Sequence, residues 1–219
     1  MGRMRRVTGL TCLKLLAGEK EGMDMKVGVL ALQGAVAEHL RMIELAGGEG
    51  VVIKRTEQLK EIDGLIIPGG ESTTIGKLMR TYGFIEAIRE FAGEKKPVFG
   101  TCAGLILIAS RITGQAPGQP DSHLGLMDMV AARNAFGRQR ESFETDLTVK
   151  GMEDTVRAVF IRAPLIESVG EAVDVLSVYN GQIVAARQEH LLAASFHPEL
   201  TDDYGFHSYF LDMVRQYRG

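Results

Sequence analysis

Cys102 lies in Gly100-Thr101-Cys102-Ala103-Gly104, between a run that reads as a buried strand (Pro97–Gly100) and an apolar helical run starting at Ala103. A nucleophile on a sharp strand-to-helix turn needs very small neighbours, because its backbone is strained and its side chain must stand clear of the sheet. The helix N-terminus beyond it offers unpaired N–H groups and the positive end of a dipole, both of which favour negative charge on sulfur. The competing reading of a lone cysteine is a buried structural residue. Cys12, which has no such junction around it, fits that description.

A cysteine nucleophile needs a base, and the base needs an acceptor that orients it. The histidines are His39, His123, His190, His197 and His207. His39 falls in the first helical run, His123 in a loop and His207 near the last helix, where surface or satisfied-core roles are expected. His197 instead ends the apolar run Leu191–Phe196, and in parallel sheets sites gather at the carboxyl ends of strands. Pro198 is expected to force the chain extended, and in an extended segment His197 and Glu199, two residues on, project to the same side. One imidazole nitrogen would then face the carboxylate and the other the thiol. No second His or Cys stands at ligand spacing from His197, so no metal is expected, and no other cofactor.

Pro68-Gly69-Gly70-Glu71-Ser72-Thr73-Thr74 ends another strand-like run and opens a helix. It is not a phosphate loop, because Gly70 and Gly76 are one residue too far apart and Lys77 is followed by Leu78. Two glycines at a strand end do present backbone N–H groups to a neighbouring site, as an oxyanion hole requires.

The elements that must position these residues begin at Met25. Strand-like runs at Lys26–Leu32, Val51–Lys54, Gly64–Ile67 and Pro97–Gly100 alternate with helical runs at Val36–Leu45, Ile75–Tyr82 and Phe84–Phe91. Such alternation specifies an α/β fold of three layers, a mostly parallel central sheet with helices on both faces. A loop at Thr113–Ser122 follows, rich in Gly, Pro and Gln. Then come β-like runs with few helices between them: Leu126–Ala132, Phe143–Val149, Val156–Ile161, Val173–Val178, Ile183–Ala186 and Leu191–Phe196. These are expected to add antiparallel strands, one hairpin turning at Asn180-Gly181, before a final helix at Phe206–Tyr217.

Composition sets the outer bounds. The chain has 219 residues, 45% of them hydrophobic and 24% charged, as in ordinary globular proteins. A net charge of −3 gives no reason to expect nucleic acid or an anionic membrane as a partner. No apolar run approaches the ~18 residues of a membrane span. Two cysteines make no disulfide framework, so a reducing, cytoplasmic location is expected. Residues 1–24 stand apart as a leader or non-native extension, leaving 25–219 as one domain. The Lys14 side chain interrupts any signal-like apolar core, and Lys20-Glu21-Gly22 can be encoded by a purine-rich stretch resembling a ribosome-binding site ahead of Met25.

Taken together, Cys102 in Gly-x-Cys-x-Gly, His197-Pro198-Glu199 and Pro-Gly-Gly after the third strand resemble the class I (triad) glutamine amidotransferases, which have a flavodoxin-like fold. The segments LALQGAVAEH (Leu30–His39), PGGESTTI (Pro68–Ile75), RNAFGRQRESFE (Arg133–Glu144), FIRAP (Phe160–Pro164) and SFHPEL (Ser195–Leu200) narrow the resemblance to the glutaminase subunits of pyridoxal 5′-phosphate synthase. The resemblance implies that Cys102 attacks the carboxamide of L-glutamine, with His197 and Glu199 completing the triad. It also implies an oxyanion hole at Gly70 and Ala103. Substrate binding falls on Gly70, Glu71, Ser72, Arg133, Ile161 and Arg162. The implied partner is a (β/α)₈-barrel synthase that receives the ammonia for pyridoxal phosphate (vitamin B6) biosynthesis.

Three other readings remain open on the residues alone. The chain could be a catalytically idle docking subunit, a peptidase or γ-glutamyl hydrolase on the same scaffold, or an amidotransferase of histidine or purine synthesis. The intact Cys/His/Glu set argues against the first. GGESTT and the Arg133–Glu144 motif argue against the last.

Overall fold

The computed structural model describes residues 25–114, 123–133 and 142–219. The expected leader 1–24 with Cys12, most of the 113–122 loop and the middle of the Arg133–Glu144 motif lie outside the described residues.

Four strands form the parallel heart of the sheet: β1 (Lys26–Leu30), β3 (Gly64–Ile67), β4 (Val98–Thr101) and β12 (Leu191–Ala194), neighbours in that order, with β2 (Glu49–Ile53) outside β1. Each is short and apolar on both faces because both faces are covered. Alternation along a strand sends successive side chains to opposite sides, and the two cores divide accordingly. Leu65, Ile67, Val98, Leu191 and Ala193 join one cluster with α2 (Ser72–Thr81), α3 (Phe84–Gly93) and α4 (Ala103–Ile108). Ile66, Phe99, Leu192 and Ala194 join the other, with α1 (Val36–Leu45) and α5 (Gly205–Arg218). The expected three layers are therefore present.

Beyond β12 the sheet turns antiparallel through β11 (Gln182–Gln188) and β9 (Leu165–Val169) to β6 (Met127–Ala132), which pairs in parallel with β5 (Ala109–Thr113) at the edge. β10 (Asp174–Tyr179) hairpins onto β11 through Asn180 and Gly181, whose φ of 49° and 77° suit the type I′ turn expected there. β7 (Ser142–Leu147) and β8 (Val156–Ile161) form a separate two-stranded ribbon, and Phe143 stacks on Phe160 across it.

Two strands, β5 and β9, carry no strand signal in the sequence reading. Ala109–Thr113 continues the apolar run of α4, but the helix stops at Ile108 because Ala109 turns to φ −61°, ψ 148° and its chain pairs with β6. β9 is held between β6 and β11, a purely tertiary cause. Among the described residues no helix is long and apolar enough to cross a membrane.

Candidate active site

Parallel strands deliver their carboxyl ends to one edge, and here four adjacent strands bring four loops together. β4 registers Thr101 against Ala194 of β12 and Gly100 against Ile67 of β3. The residues that follow those strands are Cys102, the Ser195–His197 segment and Pro68-Gly69-Gly70. β1, on the far side of β3, ends just before Gln33-Gly34.

Cys102 has φ 47° and ψ −103°, a strained conformation for a residue with a side chain, and its amide N–H donates to Ala194 O at 2.8 Å. The glycines around it are required by contact. A Cβ on Gly104 would lie 2.0 Å from Ile67 O, and one on Gly100 would lie 2.6 Å from the Gly104 carbonyl. The first turn of α4 is thus pressed directly onto the end of β3, which is what turns the chain so sharply at Cys102. The expected sharp strand-to-helix turn is present. With the Cys102 N–H engaged, the Ala103 N–H, at the first helical position and without an intrahelical acceptor, is the donor left beside the sulfur.

His197 stands against Cys102. Its Nδ1 lies 2.7 Å from Glu199 Oε1, and its side chain hydrogen-bonds Cys102. Glu199 is 2% exposed and His197 8%. Burial alone would lower the His197 pKa, but the hydrogen bonds and charges of Cys102 and Glu199 outweigh it and carry it to about 10. Burial likewise works to raise the Glu199 pKa, and His39 and His197 beside it hold it below its usual value. An ionised carboxylate only accepts, so His197 Nδ1–H donates to it and Nε2 faces the sulfur.

The route to this geometry departs from the expected extended path. His197 is near-extended (φ −107°, ψ 87°), but Pro198–Leu200 is a single 3₁₀ turn with Pro198 at its first position. Proline's fixed φ suits that position as well as it suits a strand. The turn folds Glu199 back beneath the ring.

A cleft of about 480 Å³ opens over Cys102, Ala103 and His197, lined also by Gln33, Gly70, Glu71, Ser72, Ile106, Arg133, Ile161, Arg162 and Pro164. All six residues expected to bind substrate are therefore on its wall, and Glu199 lies behind His197, off it. Arg162 reaches it at φ 43°, the left-handed region, directly after β8. Glu71 is on the wall, but its carboxylate caps α2. It accepts from the backbone N–H groups of Thr73 and Thr74 at 3.0 and 2.7 Å and from both of their hydroxyls. Burial would raise the Glu71 pKa, but these bonds outweigh it and bring it to about 2.

Gln33 was not singled out in the sequence. Its Oε1 accepts from the Glu71 N–H at 2.9 Å, and a Cβ on Gly70 would come within 2.5 Å of that oxygen. Its signal was available, since it lies in the loop just past the carboxyl end of β1. His123 and His190 line no part of the cleft.

A cysteine on a strained turn, a His/Glu pair against it and this order of strands define a triad-type amidotransferase scaffold. The chain belongs to the SNO glutamine amidotransferase family, whose model matches residues 29–216. It is 76% identical over 194 residues to pyridoxal 5′-phosphate synthase subunit PdxT of Niallia circulans, covering 89% of this chain and all of that one. It is 62% identical over 192 residues to the PdxT of Halalkalibacterium halodurans, covering 88% and 96%. A solved glutamine amidotransferase superposes with a TM-score of 0.81 at 47% identity, over 86% of this chain and 98% of that one. Thermotoga maritima PurLQS, at 16% identity, shares the fold, with a TM-score of 0.64 over 90% of this chain and 100% of that one.

Proposed function

We propose that the chain hydrolyses L-glutamine to L-glutamate and ammonia as the glutaminase subunit of a pyridoxal 5′-phosphate synthase. The observation that carries this reading is the Cys102–His197–Glu199 arrangement at the floor of a cleft with two arginines on its wall. Glutamine's α-carboxylate suits a guanidinium, and the cleft volume suits a small polar molecule.

Cys102 sulfur attacks the side-chain carbonyl carbon, and the carbonyl oxygen takes the electron pair, facing the N–H groups of Gly70 and Ala103. The His197 Nε2 proton passes to the amide nitrogen as the C–N bond breaks, releasing ammonia and leaving a γ-glutamyl thioester. His197 then takes a proton from water, the hydroxide equivalent attacks the thioester, and glutamate leaves as the sulfur recovers its charge. Glu199 holds the Nδ1 proton throughout. Arg133 and Arg162 take the substrate carboxylate, with Ile161 and Ser72 shaping the wall. Glu71 contributes by placing the Gly70–Ser72 backbone, since its carboxylate is committed to the helix cap. The ammonia passes to a (β/α)₈-barrel synthase subunit.

The test is glutamate and ammonia release by the chain together with that synthase. Cys102→Ala should lose several orders of magnitude while melting normally. His197→Asn should be nearly as damaging, and Glu199→Gln less so. A folded Cys102→Ala that keeps its activity would overturn the assignment.

A further inference from the structure

Behind Glu199, on the side away from the cleft, lie buried polar groups that the reaction above does not use. His39 of α1 and Thr101 of β4 are each 0% exposed, and His207 of α5 is 1% exposed. His39 Nδ1 is 2.9 Å from His207 Nε2, and His39 Nε2 is 3.1 Å from Thr101 Oγ1. The same Nε2 is 3.5 Å from Glu199 Oε2, the oxygen that His197 leaves free. That Oε2 makes no hydrogen bond among the described residues, so what His39 presents to it matters.

Two independent observations select one tautomer. A bare Nε2 lone pair facing a carboxylate oxygen at 3.5 Å would be repulsive, whereas an Nε2–H turns the approach into attraction. With the proton on Nε2, His39 Nδ1 must accept, and His207 Nε2–H donates to it. His207 Nδ1 has no hydrogen-bond partner among the described residues. In this arrangement it carries only a lone pair, whereas the opposite arrangement would strand a buried N–H, the rarer orphan. Burial pushes His39 below its usual pKa against the pull of Glu199, with His197 adding to the lowering and Glu38 opposing it. Burial pushes His207 well below its usual range. Burial thus favours the neutral form of both rings.

We propose that His39 is a positioning residue for the triad: His207 holds its ring in the Nε2–H tautomer, and that N–H, anchored on Thr101, fixes the Glu199 carboxylate with Oε1 toward His197. The proposal rests on the triad reading above. Without His39, the carboxylate is held through Oε1 alone, and the register that keeps His197 Nε2 against Cys102 slackens.

The experiment uses the chain in complex with its synthase and compares wild type, Cys102→Ala, His39→Gln and His39→Leu. His39→Leu should lower kcat roughly ten- to a hundredfold, less than the ~10⁴-fold that loss of an orienting carboxylate costs. KM for glutamine should stay unchanged, because His39 lines no part of the cleft. His39→Gln, which can place an N–H near the Nε2 position, should recover most of the rate. The second measurement needs no loss-of-function variant: ¹⁵N spectra of wild type at neutral pH, with the His39 ring assigned by its absence in His39→Gln, should show a protonated Nε2 and a bare Nδ1. A folded His39→Leu with wild-type kcat, or with its loss confined to KM, overturns the proposal. So does a His39 ring protonated on Nδ1, and that reading stands even if the leucine variant fails to fold. Failure of the glutaminase reading looks different: a wild-type complex releasing no ammonia, or a Cys102→Ala complex that still does.

Discussion

Replacing Gly69 by alanine adds a single methyl group to the last residue but one before Glu71, and the structure states where that methyl goes. It would lie 2.4 Å from His197 Cε1, 3.0 Å from His197 Nδ1 and 3.3 Å from Cys102 Cβ. Ordinary carbon–carbon contact is ~3.5–4.0 Å, so the ring must retreat by about 1 Å. Gly69 is not among the residues at positive φ, so alanine meets no left-handed backbone strain and the main effect falls on the imidazole. The retreat stretches the 2.7 Å bond to Glu199 or breaks the approach to Cys102. A misplacement of ~1 Å costs about a hundredfold in rate, whereas overpacking of this kind costs only about 1–3 kcal/mol of stability. The assay is glutamate formation by the chain with its synthase, alongside the rate of Cys102 alkylation by a glutamine analogue and a thermal melt. Gly93→Ala serves as the control, since a Cβ there meets nothing within 4 Å. A folded Gly69→Ala within about threefold of wild-type kcat would refute the steric argument, because a ring that tolerates the methyl is not held where the distances put it.

Two further outcomes follow from the same geometry. Gly104→Ala should cost about 3 kcal/mol or more in a urea melt, because its Cβ would sit 2.0 Å from the backbone oxygen of Ile67, which cannot move without the sheet; a wild-type midpoint would show that α4 is free to slide. Glu71→Ala should lower stability by ~1 kcal/mol at neutral pH, the usual worth of an N-cap and no more for a solvent-exposed carboxylate. The folded carboxyl titrates near 2 against an ordinary 4.5. Its contribution is therefore complete above 4.5 and is lost as pH falls toward 2. Melting temperatures of the two proteins should differ by a constant amount down to about pH 5 and converge below it; a difference unchanged at pH 3 would place the cap elsewhere.

The candidate site residues were legible wherever the local backbone dictates them. Gly100, Gly104 and Cys102 announce a strained strand–helix turn, and the φ of Cys102 bears that out. Gly69-Gly70 marks a close approach, which proves to be to His197 and to Gln33. The helix Val36–Leu45 and the strands Gly64–Ile67 and Val156–Ile161 were read with the boundaries observed, because their periodicity is strong. The path through Pro198 was not, since proline's fixed φ serves a strand and a 3₁₀ turn alike. β5 and β9 were missed because edge pairing, not pattern, makes them strands. His39 and His207 looked like single histidines on two helices 168 residues apart, and neither carries any local sign of the other.

The sequence by itself determined which residues could act and the turn that each occupies, because those depend on neighbours within a few positions. Tertiary structure alone decided that they meet. The order β1, β3, β4, β12 sets Gln33, Gly69, Cys102 and His197 side by side at one sheet edge. The packing of α1 against α5 brings His39 to His207, and its packing against the Pro198–Leu200 turn brings it to Glu199. Pairing between strands remote in the chain is a choice among registers made by burial over the whole sheet, and no single segment encodes it.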